Sequence, residues 1–283
     1  MKNHDVANTS YWYKNKEQTN MKLLKKITLL LLLLVSSVAV QAQCDMKNTA
    51  FTSGELLTYN LFFNWKFVWV KVGNASMSVV RSNYKGQPSY RASLITRGNR
   101  KADHLFVLRD TLQAYTSLNL APQYYRKAAQ EGSRYYIDEV FYTYPNKKVY
   151  VKQHQITSSG EHLWRQGYKN ECVFDMLNIF LRARSFDVSK WKKGYAYRFT
   201  MVDGEKSMPA MLKYHGKTHV KADDGKKYRC LQLSYMEKED KSYKKIVDFF
   251  VTDDTNHIPV RLDMFLRFGS AKAFLVGKRG VKN

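Results

Sequence analysis

Seven histidines, three cysteines and twenty-four acidic residues are the groups in this 283-residue sequence with the chemistry to hold a metal or run a reaction. His215 and His219 stand four apart, which aligns two ligands on a helix. Gly216 lies between them and the flanks read as strand, so the imidazoles need not converge. Asp253, Asp254 and Asn256 crowd oxygens into one turn and could hold calcium weakly, but they lack the further ligands of a calcium loop, and turn chemistry accounts for them. Asp138-Glu139 offers half of a two-carboxylate pair, and nothing names the other half. Cys172 stands at a helix start, where thiol pKa falls, yet no His lies nearby in sequence to act as its partner. There is no nucleophile elbow, phosphate-cradling glycine loop or Cys-x-x-Cys pair. No catalytic residue, metal site or cofactor is therefore assigned. In an oxidising compartment Cys44, Cys172 and Cys230 permit one disulfide with one thiol left over, and the choice of pair stays open.

The remaining candidate is a surface. From Leu57 to Trp69 every second residue is large and apolar, the period of a strand with one buried face. A dense aromatic face needs a cover, because exposed apolar patches of several hundred Å² are unusual on a soluble monomer. Tyr59, Phe63, Trp65, Phe67 and Trp69 are accordingly the candidate ligand-binding residues, with core packing as the competing use.

Lys22, Lys25 and Lys26 precede an apolar run that begins at Ile27, and Val40-Gln-Ala42 has cleavage spacing. Residues 21–42 read as a secretory signal peptide cut after Ala42, and residues 1–20 as a disordered, over-long gene start. Two alternatives stay open: a retained anchor, for which the run is short, and lipid attachment at Cys44, which wants a small residue where Gln43 stands. The expected location is the periplasm or the outer membrane. Residues 1–42 hold six lysines and two acids, so residues 43–283 keep +19 of the formal +23. That charge is spread in singles and pairs such as Lys192-Lys193 and Lys244-Lys245. It reads as solvated strand ends or as a basic face for anionic envelope material, whether lipid head groups or acidic glycans. Export removes nucleic acid as an expected partner.

Alternating runs over residues 74–84, 89–96, 110–117, 122–130, 135–144 and 149–156 predict strands, as do runs in 195–201, 217–222, 227–235, 246–252, 258–267 and 271–276. Turn signals include Pro145-Asn-Lys-Lys148, Asp203-Gly204 and Asp223-Asp-Gly225. Gly73 marks a turn or bulge, and Pro259 must start a strand or lie on an edge. Val173, Met176, Leu177, Phe180 and Leu181 have helical spacing, with Asn170 as N-cap and Arg182 and Arg184 at the end, so residues 172–184 read as one amphipathic helix. The expected fold is all-β with this one inserted helix, in a single domain over residues 43–283. About a dozen short antiparallel strands curl, giving a strongly curved sheet or a partly open β-barrel.

Four separated patches, Gly54-Glu-Leu-Leu-Thr-Tyr59, Val72-Gly-Asn-Ala-Ser76, Asp175-Met-Leu177 and Asp254-Thr-Asn-His-Ile-Pro-Val-Arg-Leu262 followed by Gly269-Ser-Ala271, resemble the exported bacterial domain of unknown function 3108. The likeness is to the form found in Bacteroides-type bacteria and spans about residues 44–281. It implies a mostly β protein of the periplasm or outer envelope and brings no catalytic residues. For such a source, Asp110-Thr111-Leu112 also resembles an O-glycosylation acceptor, with the sugar on Thr111.

Three function classes follow. The first is a non-enzymatic binding or carrier protein for an apolar, anionic envelope ligand, lipid or glycan. The second is an assembly factor that contacts other envelope proteins, and the third a hydrolase acting on envelope polymers. The position of the helix separates them: inside the curve it fills the space a carried ligand would need, and outside it leaves that space open.

Overall fold

The computed structural model describes residues 44–65, 68–104, 106–266 and 269–282. The expected alternation produces one continuous sheet of fifteen strands. Its first limb is a meander of β1 (Glu55–Trp65), β2 (Val68–Tyr84), β3 (Gln87–Gly98), β4 (Leu108–Ser117), β5 (Pro122–Glu131), β6 (Arg134–Thr143), β7 (Val149–Ile156) and β8 (His162–Lys169). After β9 (Val173–Phe174) and helix α1 (Met176–Arg184) comes the second limb. It comprises β10 (Ala196–Asp203), β11 (Lys206–Lys221), β12 (Lys227–Glu239), β13 (Ser242–Thr252), β14 (Pro259–Leu266) and β15 (Gly269–Arg279). The limbs join in the middle, where β1 pairs with β15, so β8 and β9 end up at the two edges. All pairings are antiparallel except β9 with β10.

The sheet curls into a nearly closed barrel, and side chains bridge part of its open seam. Gln153 on β7 donates from Nε2 to the carbonyls of Gly204 and Lys206, at 2.8 Å each, and its Oε1 accepts from Ser207. One buried amide thus stands in for the missing strand ladder. Gly204 is tied to this role: a Cβ there would come 2.7 Å from Gln155 Nε2 and 2.9 Å from Asp138 Oδ1.

The helix lies inside the curl. Leu177 and Leu181 pack into a core made by β2 to β7 with Met77, Val79, Tyr125 and Val140, while Ile179 packs with Phe199, Met201 and Leu212 of the second limb. It begins later than its spacing predicts, at Met176 with Asp175 as N-cap. Val173 and Phe174, expected in its first turn, pair as strand with Thr200 and Met201. A disulfide between Cys44 and Cys172 pins the chain just before them and buries the N-terminal segment with the helix.

Both helix ends are held by buried polar groups. The Asp175 carboxylate accepts from the Asn178 backbone N–H at 2.9 Å, from the Asn178 side chain at 2.6 Å and from the Tyr142 hydroxyl at 2.9 Å. Burial outweighs these bonds and pushes its pKa up to about 6. At the other end Arg184 forms a two-pronged ion pair with Glu55, in which Nη1 meets Oε1 and Nη2 meets Oε2 at 2.9 Å. The side chains are 2% and 1% exposed. Arg184 also donates to the Asn256 carbonyl at 3.1 Å, and its own carbonyl contacts His257 Nδ1 at 2.7 Å.

Two outcomes follow. Arg184→Ala leaves Glu55 buried and unpaired and should cost about 3–5 kcal/mol, read as a lowered urea midpoint; a change below about 1 kcal/mol would show the pair to be dispensable. For Asp175, the folded-state pKa lies above the ordinary 3.8. Its contribution is therefore complete below pH 3.8 and lost as pH rises through about 6, on the order of 3 kcal/mol at most. Thermal midpoints should fall over that window and fall less in Asp175→Asn, and an identical slope in the two proteins would contradict the assignment.

Candidate functional site

The aromatic stripe divides where the core ends. Leu57, Tyr59 and Leu61 are buried with Phe250, Ile258, Val260 and Leu275, and the Tyr59 hydroxyl donates to the Pro259 carbonyl at 3.0 Å. Burial holds that phenol protonated well above its ordinary range, against the pull of Arg184. Tyr59 is thus a core residue. Phe63 is half-buried and packs over Gly269, where a Cβ would meet its ring at 2.9 Å. Trp65 ends β1, but its side chain lies outside the described residues, as does the whole of Phe67. Trp69 is 37% exposed, with Lys272 Nζ 4.1 Å from its ring centre.

Beyond Leu61 and Ala273 the sheet runs on as the ends of two adjacent hairpins. Val68, Val70, Phe265 and Leu266 are between 41% and 62% exposed there. The register assigns these residues to faces: Trp65 opposes Val68, Phe63 opposes Val70, and Leu266 opposes Gly269 on one face. Asn64 opposes Trp69 and Phe265 opposes Ser270 on the other. A solvated sheet face is ordinarily polar, whereas apolar residues on both faces are usual in sheets covered on both sides. One row nearer the core Phe62 lies between Lys71 and Lys272, and exposed Arg100 and Lys101 follow Asn99, whose amide bonds the Lys71 carbonyl at 3.0 Å. The neighbouring acids have other cations beside them: Asp263, across the ladder from Lys272, pairs with Arg261, Asp248 with Lys245 at 3.1 Å, and Asp103 with Arg109 at 2.5 Å.

The interior has a different character. Asp110, Lys127, Tyr136 and Asp138 face inward from β4 to β6, and Gln155 binds Asp138 at 2.7 Å. Burial raises Asp110 to about 6 and raises Asp138 despite the Gln155 bond. Burial also opposes the Lys127 charge but is outweighed by Asp203, Tyr136 and Glu131. This polar packing together with α1 occupies the curve. The described grooves are on the surface, about 260 Å³ beside Thr58, Asn74 and Arg97 and about 300 Å³ beside Tyr84, Gln123 and Tyr144.

Other candidates are dispersed. Adjacent in sequence, Asp138 and Glu139 point to opposite sides of the sheet. Glu139 joins a chain on the outer face, accepting from Tyr124 at 2.5 Å and contacting His154 Nδ1 at 2.9 Å, with His154 Nε2 3.0 Å from His162 Nδ1. His215 contacts Ser234 at 2.7 Å, while His219 opposes Arg229 across a strand pair. Asp254 caps its own turn through Thr252, Asn256 and His257, and Asp253 holds Lys217 and Arg229 at 2.9 and 2.8 Å. Thr111 stands on the outer side of β4, in register with Ile95 and Ala128. Cys230 is buried and unbridged, its thiol pushed up to about 11 by burial. Among the described residues no three His, Cys, Asp or Glu side chains gather to hold a metal.

The stripe pointed at the tip through Trp65 to Trp69, but alternation hid Val68, Val70, Phe265 and Leu266. The available signal was the loss of alternation in Phe67-Val-Trp-Val70 and Met264-Phe-Leu266, in places where polar turn residues are expected.

Among solved structures the chain is similar to a beta-barrel-like protein of domain of unknown function DUF1849 from Brucella abortus, with 13% identity and a TM-score of 0.54 over 83% of this chain and 100% of that one. At that identity the likeness concerns the fold alone. A "putative lipoprotein" from Parabacteroides distasonis aligns over 83% of this chain and 99% of its own, with 10% identity and a TM-score of 0.35. No curated protein matches the chain. The family described as protein of unknown function DUF3108 matches residues 58–276, and the chain belongs to that family.

Proposed function

We propose that this is a non-enzymatic, exported envelope protein that binds an apolar, anionic envelope component at its surface, with the filled barrel as a rigid scaffold. The observation that carries the reading is the pair of hairpin tips with apolar side chains on both faces and lysines one row behind. Export is supported by the signal pattern of residues 21–42 and by the Cys44–Cys172 disulfide, a bond that persists in oxidising compartments. Carriage inside the curve is the weaker form of the reading, because α1 and the Lys127 cluster take up that space. A hydrolase is favoured only by the Tyr124–Glu139–His154–His162 chain, to which no serine, threonine or cysteine is bonded among the described residues.

Titration with lysophosphatidylglycerol micelles, followed by tryptophan fluorescence, tests the reading. The protein should show a blue shift that the double variant Val68→Asp/Leu266→Asp loses while keeping its thermal midpoint. No shift in the unaltered protein would refute surface binding, and a shift that survives in the double variant would move the site elsewhere.

A further inference from the structure

We propose, resting on that reading, that the component is the surface of an anionic lipid bilayer, entered edge-on by the tips of the β1–β2 and β14–β15 hairpins as far as the head-group region and no deeper.

Shape comes first. A protein partner, or a second copy of this chain, seats on one face of a sheet and leaves the other in water. Here Val68, Val70 and Leu266 lie on one face and Trp69 and Phe265 on the other, so a one-sided partner would leave exposed apolar surface behind. A bilayer surrounds a wedge on both faces at once.

Length agrees. Trp65 stands four positions beyond buried Leu61, and Gly269 four positions before buried Ala273. At about 3.3 Å per residue each tip extends about 13 Å past the core. That exceeds the roughly 5–8 Å of one head-group layer, so the apolar ends reach the acyl boundary.

The charges are set at a matching height. Lys71 and Lys272 flank Phe62, one row of the ladder behind Trp69 and Phe265, with Arg100 and Lys101 beside them. None of these four takes part in an ion pair among the described residues. When the tips are in the interface, these cations stand at the level of the lipid phosphates. Trp69 beneath the Lys272 ammonium is the amphipathic pairing that such interfaces favour.

The backbone limits the depth. β3 pairs with β2 only from Gly73 onward, and β13 pairs with β14 only as far as Met264. Asn99 takes the Lys71 and Val72 carbonyls, and the outer edges of Val68–Val70 and of Phe265–Leu266 carry backbone groups without ladder partners. Hydrocarbon does not accept such edges, and the hydrated head-group layer does.

Co-sedimentation of the protein with vesicles of phosphatidylethanolamine and phosphatidylglycerol, against vesicles of phosphatidylcholine alone, tests the inference. Binding is expected to the first and to be weak to the second, and to decline with added salt. It should drop about tenfold or more in Lys71→Glu/Lys272→Glu and disappear in Val68→Asp/Leu266→Asp. Spin-labelled lipids should quench tryptophan most from shallow positions. Equal binding to both vesicle types, or quenching strongest from the bilayer centre, would overturn the inference. Micelle binding without vesicle binding would overturn it and leave the preceding reading in place. Concentration-dependent dimers abolished by Val68→Asp/Leu266→Asp would assign the surface to a second copy instead. Val68, Lys71 and Leu266 are exposed and Lys272 is half-buried, and an unchanged thermal midpoint separates each result from misfolding.

Discussion

A guanidinium and a carboxylate taken out of water together must stay together, because separating them inside a protein strands a charge where nothing solvates it. Glu55 and Arg184 impose that condition here. One is the first residue of β1 and the other the last of α1, and Arg184 also binds the Asn256 carbonyl just ahead of β14. Three segments far apart in sequence meet at one side chain. The patches at Gly54–Tyr59 and Asp254–Leu262, which carry the resemblance to the family, are thereby brought into contact. The helix cannot leave the barrel without exposing the pair to separation.

That lock decides what fills the curve. With α1 held inside, packed by Leu177 and Leu181 on one limb and Ile179 on the other, the curved face is a core. The open seam is bridged by the Gln153 amide, and the remaining interior is lined by Lys127 and its acidic neighbours. The apolar side chains left exposed on both faces lie where the sheet outgrows its core.

Much of the fold was legible because strand periodicity is a local signal: Leu57–Leu61 and Ala75–Val79 declare their buried face through alternation alone. The bulge at Gly73 announced itself as a change of phase, and a Cβ there would overlap the Arg97 carbonyl. Pro259 takes the first position of a strand, as its missing N–H requires. Strand β8 was not legible, since His-Leu-Trp-Arg-Gln-Gly-Tyr-Lys is an exposed edge without an apolar face. The start of the helix was misplaced because Val173 and Phe174 suit either period, and pairing with β10 decided between them. Arg184 resembled a residue matched to the helix dipole, and nothing local signals a partner at Glu55. The Glu139–His154–His162 chain was hidden for a related reason: it depends on the register between β6, β7 and β8, which is a property of pairs of strands.

The junction of the two limbs has a consequence for how the chain can be assembled. Every antiparallel pairing joins neighbours in sequence except β1 with β15, where Leu56 meets Arg279. Closing a loop of that length costs about 3 kcal/mol more chain entropy than closing a short hairpin. Each limb can zip up by local contacts, whereas the central ladder has to wait for both chain ends. Loss of β1 or β15 therefore parts the sheet along its midline, while removal of the exposed edge β8 only trims a margin.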